Sequence, residues 1–288
     1  MKIIKYFFEF ILIILLFGFF KIVGLKKASF FGKIIGKVFG PFFRPKILIK
    51  KNIKNALGDL PIEKQEQIIE NMWSNLGSTL AEYIYLKKFK NSQKHINIIG
   101  KETLEKIKKS NEPFVFFSGH FGNFELMAME LNKFGIKLAA IYRPLNNIFL
   151  NPIMEYFRLN YICPFQIPKG KAGTRKVVEK FKKGYSIAIM ADQSVTEGQK
   201  INFFNKLAST TTIPARLALK YNCQLVPIFL ERKNGANFEM TVHKPLNLQK
   251  TGNTLKDSEF ITLKINQEIE KMILKNPNQW IWTHNRWK

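Results

Sequence analysis

"FVFFSGHFGNFELMAMELNKFG", Phe114 to Gly135, decides the fold class of this chain. It opens on the apolar run FVFF, turns through a short stretch holding Gly119 and Gly122, and continues as FELMAMELNKFG. An apolar run bounded by turn residues is the pattern of a strand covered on both faces. The following segment reads as a helix stopped by Gly135. A buried strand feeding a helix is the repeating unit of an α/β sandwich around a mostly parallel sheet. The turn also carries His120, with Glu125 five residues later. On one regular helix, positions i and i+5 point roughly 140° apart, so these side chains would not meet. With His120 in the turn, Asn123 as N-cap and Glu125 in the first helical turn, they can converge.

The alternation continues outward from this stretch. KLAAIY (137–142), YSIAIMA (185–191), QLVPIFL (224–230) and FEMTVH (238–243) read as strands. NPIMEYFRLN (151–160), RKVVEKFKKG (175–184), TIPARLALKYN (212–222) and FITLKINQEIEKMILKN (260–276) read as helices. Thr210, Thr211 and Thr212 before Ile213-Pro214 form a helix start with proline in the first turn. Upstream, Ile69, Met72, Leu76, Leu80 and Ile84 recur at spacings of three and four, a helical stripe facing a core. The expected architecture is α/β: a mixed, mostly parallel sheet flanked by helices, forming one domain over residues 28–288 behind an N-terminal hydrophobic membrane helix.

That helix is read from MKIIKYFFEFILIILLFGFFKIVGLKK, residues 1–27, which is uninterrupted by polar residues from Phe10 to Phe20. About 20 apolar residues span a bilayer core, and no small-x-small cleavage site follows. A retained anchor, spanning or lying in the interface, is expected. Lys21, Lys26, Lys27, Lys33 and Lys37 favour a cytoplasmic location for the remainder of the chain. Ile34 to Arg44 mixes basic and bulky apolar residues, as either a membrane-surface segment or a loop packed on the core would.

The chain has 288 residues, 46% of them hydrophobic, with 27 Phe, which excludes a disordered chain. Lys and Arg number 46 against 21 acidic residues, a formal charge of +25. A field of that sign suits nucleic acid, anionic lipid or an acidic carrier protein. No helix-turn-helix, RNA-binding or zinc-finger signature is present, which sets nucleic acid aside. Cys163 and Cys223 lie in apolar surroundings without ligand-like spacing, so neither a disulfide framework nor a metal site is expected.

Three strand ends carry polar groups: His120, Arg143 in IYRPLNN (141–147), and Asp192 with Gln193 in IMADQSVTEG (189–198). Ligand groups gather at the carboxyl ends of strands in open α/β sheets, so the three read as one cleft. Glu125 would accept Nδ1–H of His120 and leave Nε2 free as a general base. Gly119 and Gly122 would leave room for substrate. Arg143 suits bidentate phosphate binding. The end of the chain, PNQWIWTHNRWK (277–288), mixes tryptophans with His284, Arg286 and Lys288; it suits a membrane interface or anionic head-group site, or equally a tail packed on the core.

Taken in order, the apolar N-terminus, GHFGNFE, YRPLNN, ADQ, FFNKLASTT and PNQWIWTHNRWK resemble the lipid A biosynthesis (late) acyltransferase family, of lauroyl and myristoyl transferase type. The resemblance covers nearly the whole chain. It implies a bacterial inner-membrane enzyme, its catalytic domain facing the cytoplasm, which moves a fatty acyl group from acyl carrier protein to a hydroxyl of a lipid A precursor. It implies His120 as general base, Glu125 as its orienting partner, and Arg143, Asn147, Asp192 and Gln193 as substrate-binding residues. The partners implied are acyl carrier protein, an anionic glycolipid and inner-membrane lipids, with no metal or other cofactor. The chain departs from the family in its tail, where Asn285-Arg286 replaces a commonly paired basic dipeptide. A related acyltransferase acting on glycerophosphate, an ornithine lipid or a mannosylated lipid would share the His-x4-acid element. A membrane-tethered basic binding protein and an inactive scaffold are the readings outside catalysis.

Overall fold

A computed structural model describes residues 2–288. Five helices come first: α1 (Lys2–Val23), α2 (Leu25–Phe39), α3 (Lys46–Leu57), α4 (Ile62–Glu82) and α5 (Leu86–Lys90). Then come β1 (Ile96–Ile99), α6 (Lys101–Ser110), β2 (Val115–Ser118), α7 (Glu125–Lys133) and β3 (Leu138–Tyr142). Next are α8 (Leu150–Phe157), continued by a π-helical turn at Arg158–Ile162, β4 (Gln166–Pro168), α9 (Lys171–Lys182) and β5 (Ser186–Met190). A hairpin of β6 (Gln199–Phe203) and β7 (Lys206–Thr210) precedes α10 (Ile213–Tyr221), β8 (Leu225–Asn234), β9 (Asn237–Val242) and α11 (Thr254–Lys275).

Seven strands form one sheet in the order β1-β9-β8-β2-β5-β3-β4. Strands β8, β2, β5, β3 and β4 run parallel, β9 is antiparallel to β8, and β1 is parallel to β9. The fold is therefore the mixed, mostly parallel α/β sandwich read from the sequence, with one N-terminal apolar helix. All four residues of β2 are buried. Their side chains alternate between two cores: Phe116 packs with Leu126, Ala140, Ala188 and Val226, while Val115 and Phe117 pack with Ile187, Leu225, Ile265 and Trp282. That double coverage explains the unbroken apolar run FVFF.

The stretch 34–44 is the second half of α2 and a 3-10 turn at Gly40–Phe43. One side packs on α4 at very short range: a Cβ on Gly36 would sit 2.2 Å from the Trp73 carbonyl oxygen, and one on Gly77 2.0 Å from that of Gly32. The other side leaves Phe39, Phe42 and Phe43 exposed. Helix α1 is likewise two-sided. It is long and apolar enough to cross a membrane by length and composition, and it exposes Ile3, Phe8, Leu12, Leu15 and Ile22. Its Phe17 and Phe20 are buried, and Tyr85 Oη donates to the Phe20 carbonyl at 2.6 Å. The C-terminal tryptophans lie inside: Trp280 and Trp282 are 1% and 0% exposed. A membrane-interface role for these two rings is thereby replaced by core packing.

Candidate active site

Strand order builds the site. β5 lies between β2 and β3, and its register pairs Ser118 with Met190. Two residues past that pair, the chains emerge side by side as His120 and Asp192. The Asp192 carboxylate holds the histidine twice: Oδ1 accepts from Nδ1–H at 2.8 Å, and Oδ2 accepts from the His120 backbone N–H at 2.9 Å. Oδ2 also accepts from Trp280 Nε1–H at 2.8 Å. Burial opposes charge on Asp192, but the imidazole and these three N–H donors outweigh it and hold its pKa at about 2. An ionised carboxylate only accepts, so the proton between them belongs to Nδ1, which leaves Nε2 as the nitrogen turned away from Asp192.

Glu125 does not orient the imidazole, contrary to the sequence reading. It occupies the first turn of α7, where its Oε1 accepts from Arg158 Nη2 at 2.6 Å and Nε at 3.0 Å, and from the Tyr83 hydroxyl. The physical reason is direction. His120 sits in the turn and points along the sheet edge to β5, while α7 carries Glu125 toward the π-helical turn that presents Arg158. Arg158 stays charged: burial resists it, but the Glu125 carboxylate more than compensates. Burial, reinforced by the Glu125 charge, raises the Tyr83 hydroxyl well above the ordinary phenol value. Every one of these bonds falls on Oε1, and Oε2 has no protein partner among the described residues. Asn123 is not the N-cap either; its amide donates to Glu82 Oε2 at 2.9 Å, and its backbone carbonyl accepts from Leu126 N–H.

His120, Glu125, Arg143, Arg158, Lys169 and Gln193 line one cavity of about 440 Å³, within the roughly 300–1,000 Å³ of small-ligand sites. Its inner wall is apolar, made by Met127, Ala128, Ala140, Ile162, Ala188 and Met190. Asn147 is elsewhere. Its Oδ1 accepts from the N–H groups of Phe149 and Leu150 at the start of α8, and its Nδ2 donates to the Tyr6 carbonyl at 2.9 Å and to Glu9 Oε2 at 3.1 Å. The sequence motif IYRPLNN thus divides: Arg143 faces the cavity, and Asn147 ties α1 to the loop behind it. Gly119 and Gly122 are filled from the protein side, with no space left for substrate beside them. A Cβ on Gly119 would meet the Phe121 ring at 2.7 Å, and Gly122 has φ +53° with its carbonyl accepting from Asn75 and Thr79.

The tail closes the back of the site. His284 Nε2 accepts from Ser194 N–H at 3.0 Å, and burial lowers its pKa to about 4. Arg286, fully buried, donates to the Ser209 carbonyl, Thr210 Oγ1 and Asn266 Oδ1. These two residues brace the loop after β5 and the hairpin, and neither lines the cavity. Burial pushes the Cys163 thiol up to about 11 and that of Cys223 to about 12, which leaves both poor nucleophiles. Among the described residues no three His, Cys, Asp or Glu side chains converge as metal ligands.

The family of bacterial lipid A biosynthesis acyltransferases matches residues 1–288. The chain is similar to the lipid A biosynthesis palmitoleoyltransferase of Escherichia coli, with 22% identity over 268 residues, 90% of this chain and 84% of that protein. It is similar to the lipid A biosynthesis lauroyltransferase of the same organism, at 22% over 251 residues, covering 84% and 78%. A lipid A biosynthesis acyltransferase of Haemophilus influenzae is 23% identical over 240 residues, 76% of this chain and 68% of that one.

Proposed function

The chain belongs to the bacterial lipid A biosynthesis acyltransferase family and is an acyltransferase, and we propose that it moves a fatty acyl group from acyl carrier protein to a hydroxyl of a Kdo-bearing lipid A precursor. The observation that carries the reading is His120, locked by a buried carboxylate and facing a cavity with an apolar inner wall. The acyl chain would lie along Met127, Ala140, Ala188 and Met190. His120 Nε2 takes the proton of the acceptor hydroxyl as its oxygen attacks the thioester carbonyl. Asp192 stabilises the imidazolium that forms, as the acid of a triad does. When the tetrahedral intermediate collapses, the C–S bond breaks and the imidazolium returns its proton to the departing thiolate. The thioester supplies the driving force, so the reading assigns no metal or redox cofactor. Glu125 Oε2 would accept from an acceptor hydroxyl, with Arg158 and Tyr83 fixing its position. Arg143 and Gln193 are substrate-binding in this reading.

Supporting the membrane part are the exposed apolar residues of α1 and those of the segment Phe39–Phe43. They fit residues 1–27 as an inner-membrane anchor, with the cavity on the cytoplasmic side where acyl carrier protein is found. The test offers purified protein in detergent an acyl-carrier-protein donor with the tetra-acylated Kdo-bearing precursor, glycerophosphate or an ornithine lipid. Penta-acylated glycolipid, read by mass spectrometry, is the expected product. Acylation confined to another acceptor would overturn the assignment.

A further inference from the structure

We infer that Arg44, Arg143 and Lys169 form a phosphate-binding site at the mouth of the cavity, for a phosphate carried by one of the two substrates. The inference rests on the proposed acyl transfer. It begins with register. β3 and β4 are parallel and pair Tyr142 with Pro168, so Arg143 and Lys169 leave neighbouring strands at the same level. The Lys169 backbone N–H donates to the Tyr142 carbonyl at 2.8 Å, fixing that adjacency. Like charges set side by side across strands are unfavourable. Arg44, which follows the Gly40–Phe43 turn, lines the same cavity.

None of these three side chains makes an ion pair or hydrogen bond with the described residues. In a chain with 46 basic and 21 acidic residues, unpaired surface cations are ordinary. Convergence is not. The cavity's own carboxylate, Glu125, is taken by Arg158, and Asp192 by His120. Partial burial and the charges of Arg143 and Lys288 lower the Lys169 pKa, against the pull of Asp192. Three cations from three elements, lining one space without a counter-charge, fit a phosphate group. Guanidinium groups grip phosphate oxygens in pairs, and an ammonium adds a point charge.

Two phosphates are chemically eligible: one on the glycolipid acceptor, and the diester of the carrier protein's pantetheine arm. Arg44 stands next to Phe42 and Phe43, which are 84% and 70% exposed. That places the site beside the apolar prominence from which a membrane glycolipid would enter.

The test uses full-length protein in detergent, with Arg44→Gln, Lys169→Gln, the charge-keeping Lys169→Arg, and a distant control, Lys109→Gln on α6. Binding of inorganic pyrophosphate, followed by thermal shift, needs no turnover. It should weaken in Arg44→Gln and Lys169→Gln and survive in Lys169→Arg and the control. Steady-state kinetics should then show KM for the phosphorylated acceptor rising roughly 10- to 100-fold, the value of one or two charged hydrogen bonds, with kcat nearly unchanged. An acceptor lacking a phosphate should be insensitive to the same variants. A rise in KM for the acyl donor instead would keep the site and name the pantetheine phosphate as its ligand. Unchanged pyrophosphate binding and unchanged KM for both substrates would overturn the inference, as would an equal loss in Lys109→Gln. If no acceptor is acylated by any form, the pyrophosphate arm still decides the site, separately from the proposed reaction.

Discussion

Replacing Asp192 by Asn distinguishes a histidine held by Asp192 from one held by Glu125. The substitution preserves shape, but an amide has one oxygen where the carboxylate has two. Oδ2 accepts from both the His120 backbone N–H and Trp280 Nε1–H, so the amide oxygen must take that place. The NH2 group then faces Nδ1 and donates to it, which moves the imidazole proton to Nε2 and removes the base. The charge that steadies the imidazolium is also lost. Two unit charges about 4 Å apart at an effective dielectric of about 20 interact by about 4 kcal/mol, or roughly a thousandfold in rate. The expected result for Asp192→Asn is a loss of kcat of roughly 10³, with KM for the acceptor nearly unchanged and folding retained. Imidazole ¹⁵N shifts of His120 should report the reversed tautomer, which a merely structural defect would not produce. Activity within tenfold of wild type, with the original tautomer, would refute the reasoning and return the orienting role to another group.

Three other expected outcomes rest on particular contacts. Ala188→Leu adds three carbons to the apolar cavity wall, where filled space disfavours further bulk; donor preference should shift to shorter acyl chains, read by competition among carrier-protein donors of graded length, and an unchanged preference would move the acyl site elsewhere. Asn147→Ala removes the cap of α8 and the tie to α1; it should cost about 1–2 kcal/mol, lower Tm by a few degrees, and speed proteolysis within α1. His284 is held neutral, with its pKa depressed to about 4 from 6.5. The stability it confers is complete above pH 6.5 and drains as pH falls toward 4, because only the unfolded state binds the proton there. His284→Asn, which can still accept from Ser194 N–H, should flatten Tm against pH across that window; an unaltered slope would assign the titration to another group.

Much of the sheet can be read in the chain because buried parallel strands announce themselves as apolar runs. FVFF, YSIAIMA and QLVPIFL are such runs, and their polar successors lie at one edge because parallel strands share one carboxyl end. β4, three residues long and ending in Pro168, is too short to show a period. The β6–β7 hairpin turns through Phe204 and Asn205, both at positive φ of 51° and 56°, without the Asn-Gly or Asp-Gly that would advertise it. The expectation for Glu125 fails for a similar reason. Separation along the chain favours the carboxylate five residues away, whereas the partner of His120 is set by β5 inserting between β2 and β3, a fact of strand order. Arg158 reads in sequence as one more helical cation. Its one signal is its setting in NPIMEYFRLN, a lone arginine beside aromatic residues where a helix turns inward.

The most direct measurement is acyl transfer by purified wild type beside His120→Ala and His120→Gln, using acyl carrier protein donors, the Kdo-bearing tetra-acylated precursor and mass-spectrometric detection. General-base catalysis by a positioned histidine contributes roughly 10²–10⁴-fold, so wild type should yield penta-acylated product and both variants should lose at least about a hundredfold of its rate while remaining folded. Undiminished product in folded His120 variants would contradict the mechanism, and no product from folded wild type with any donor would contradict the function.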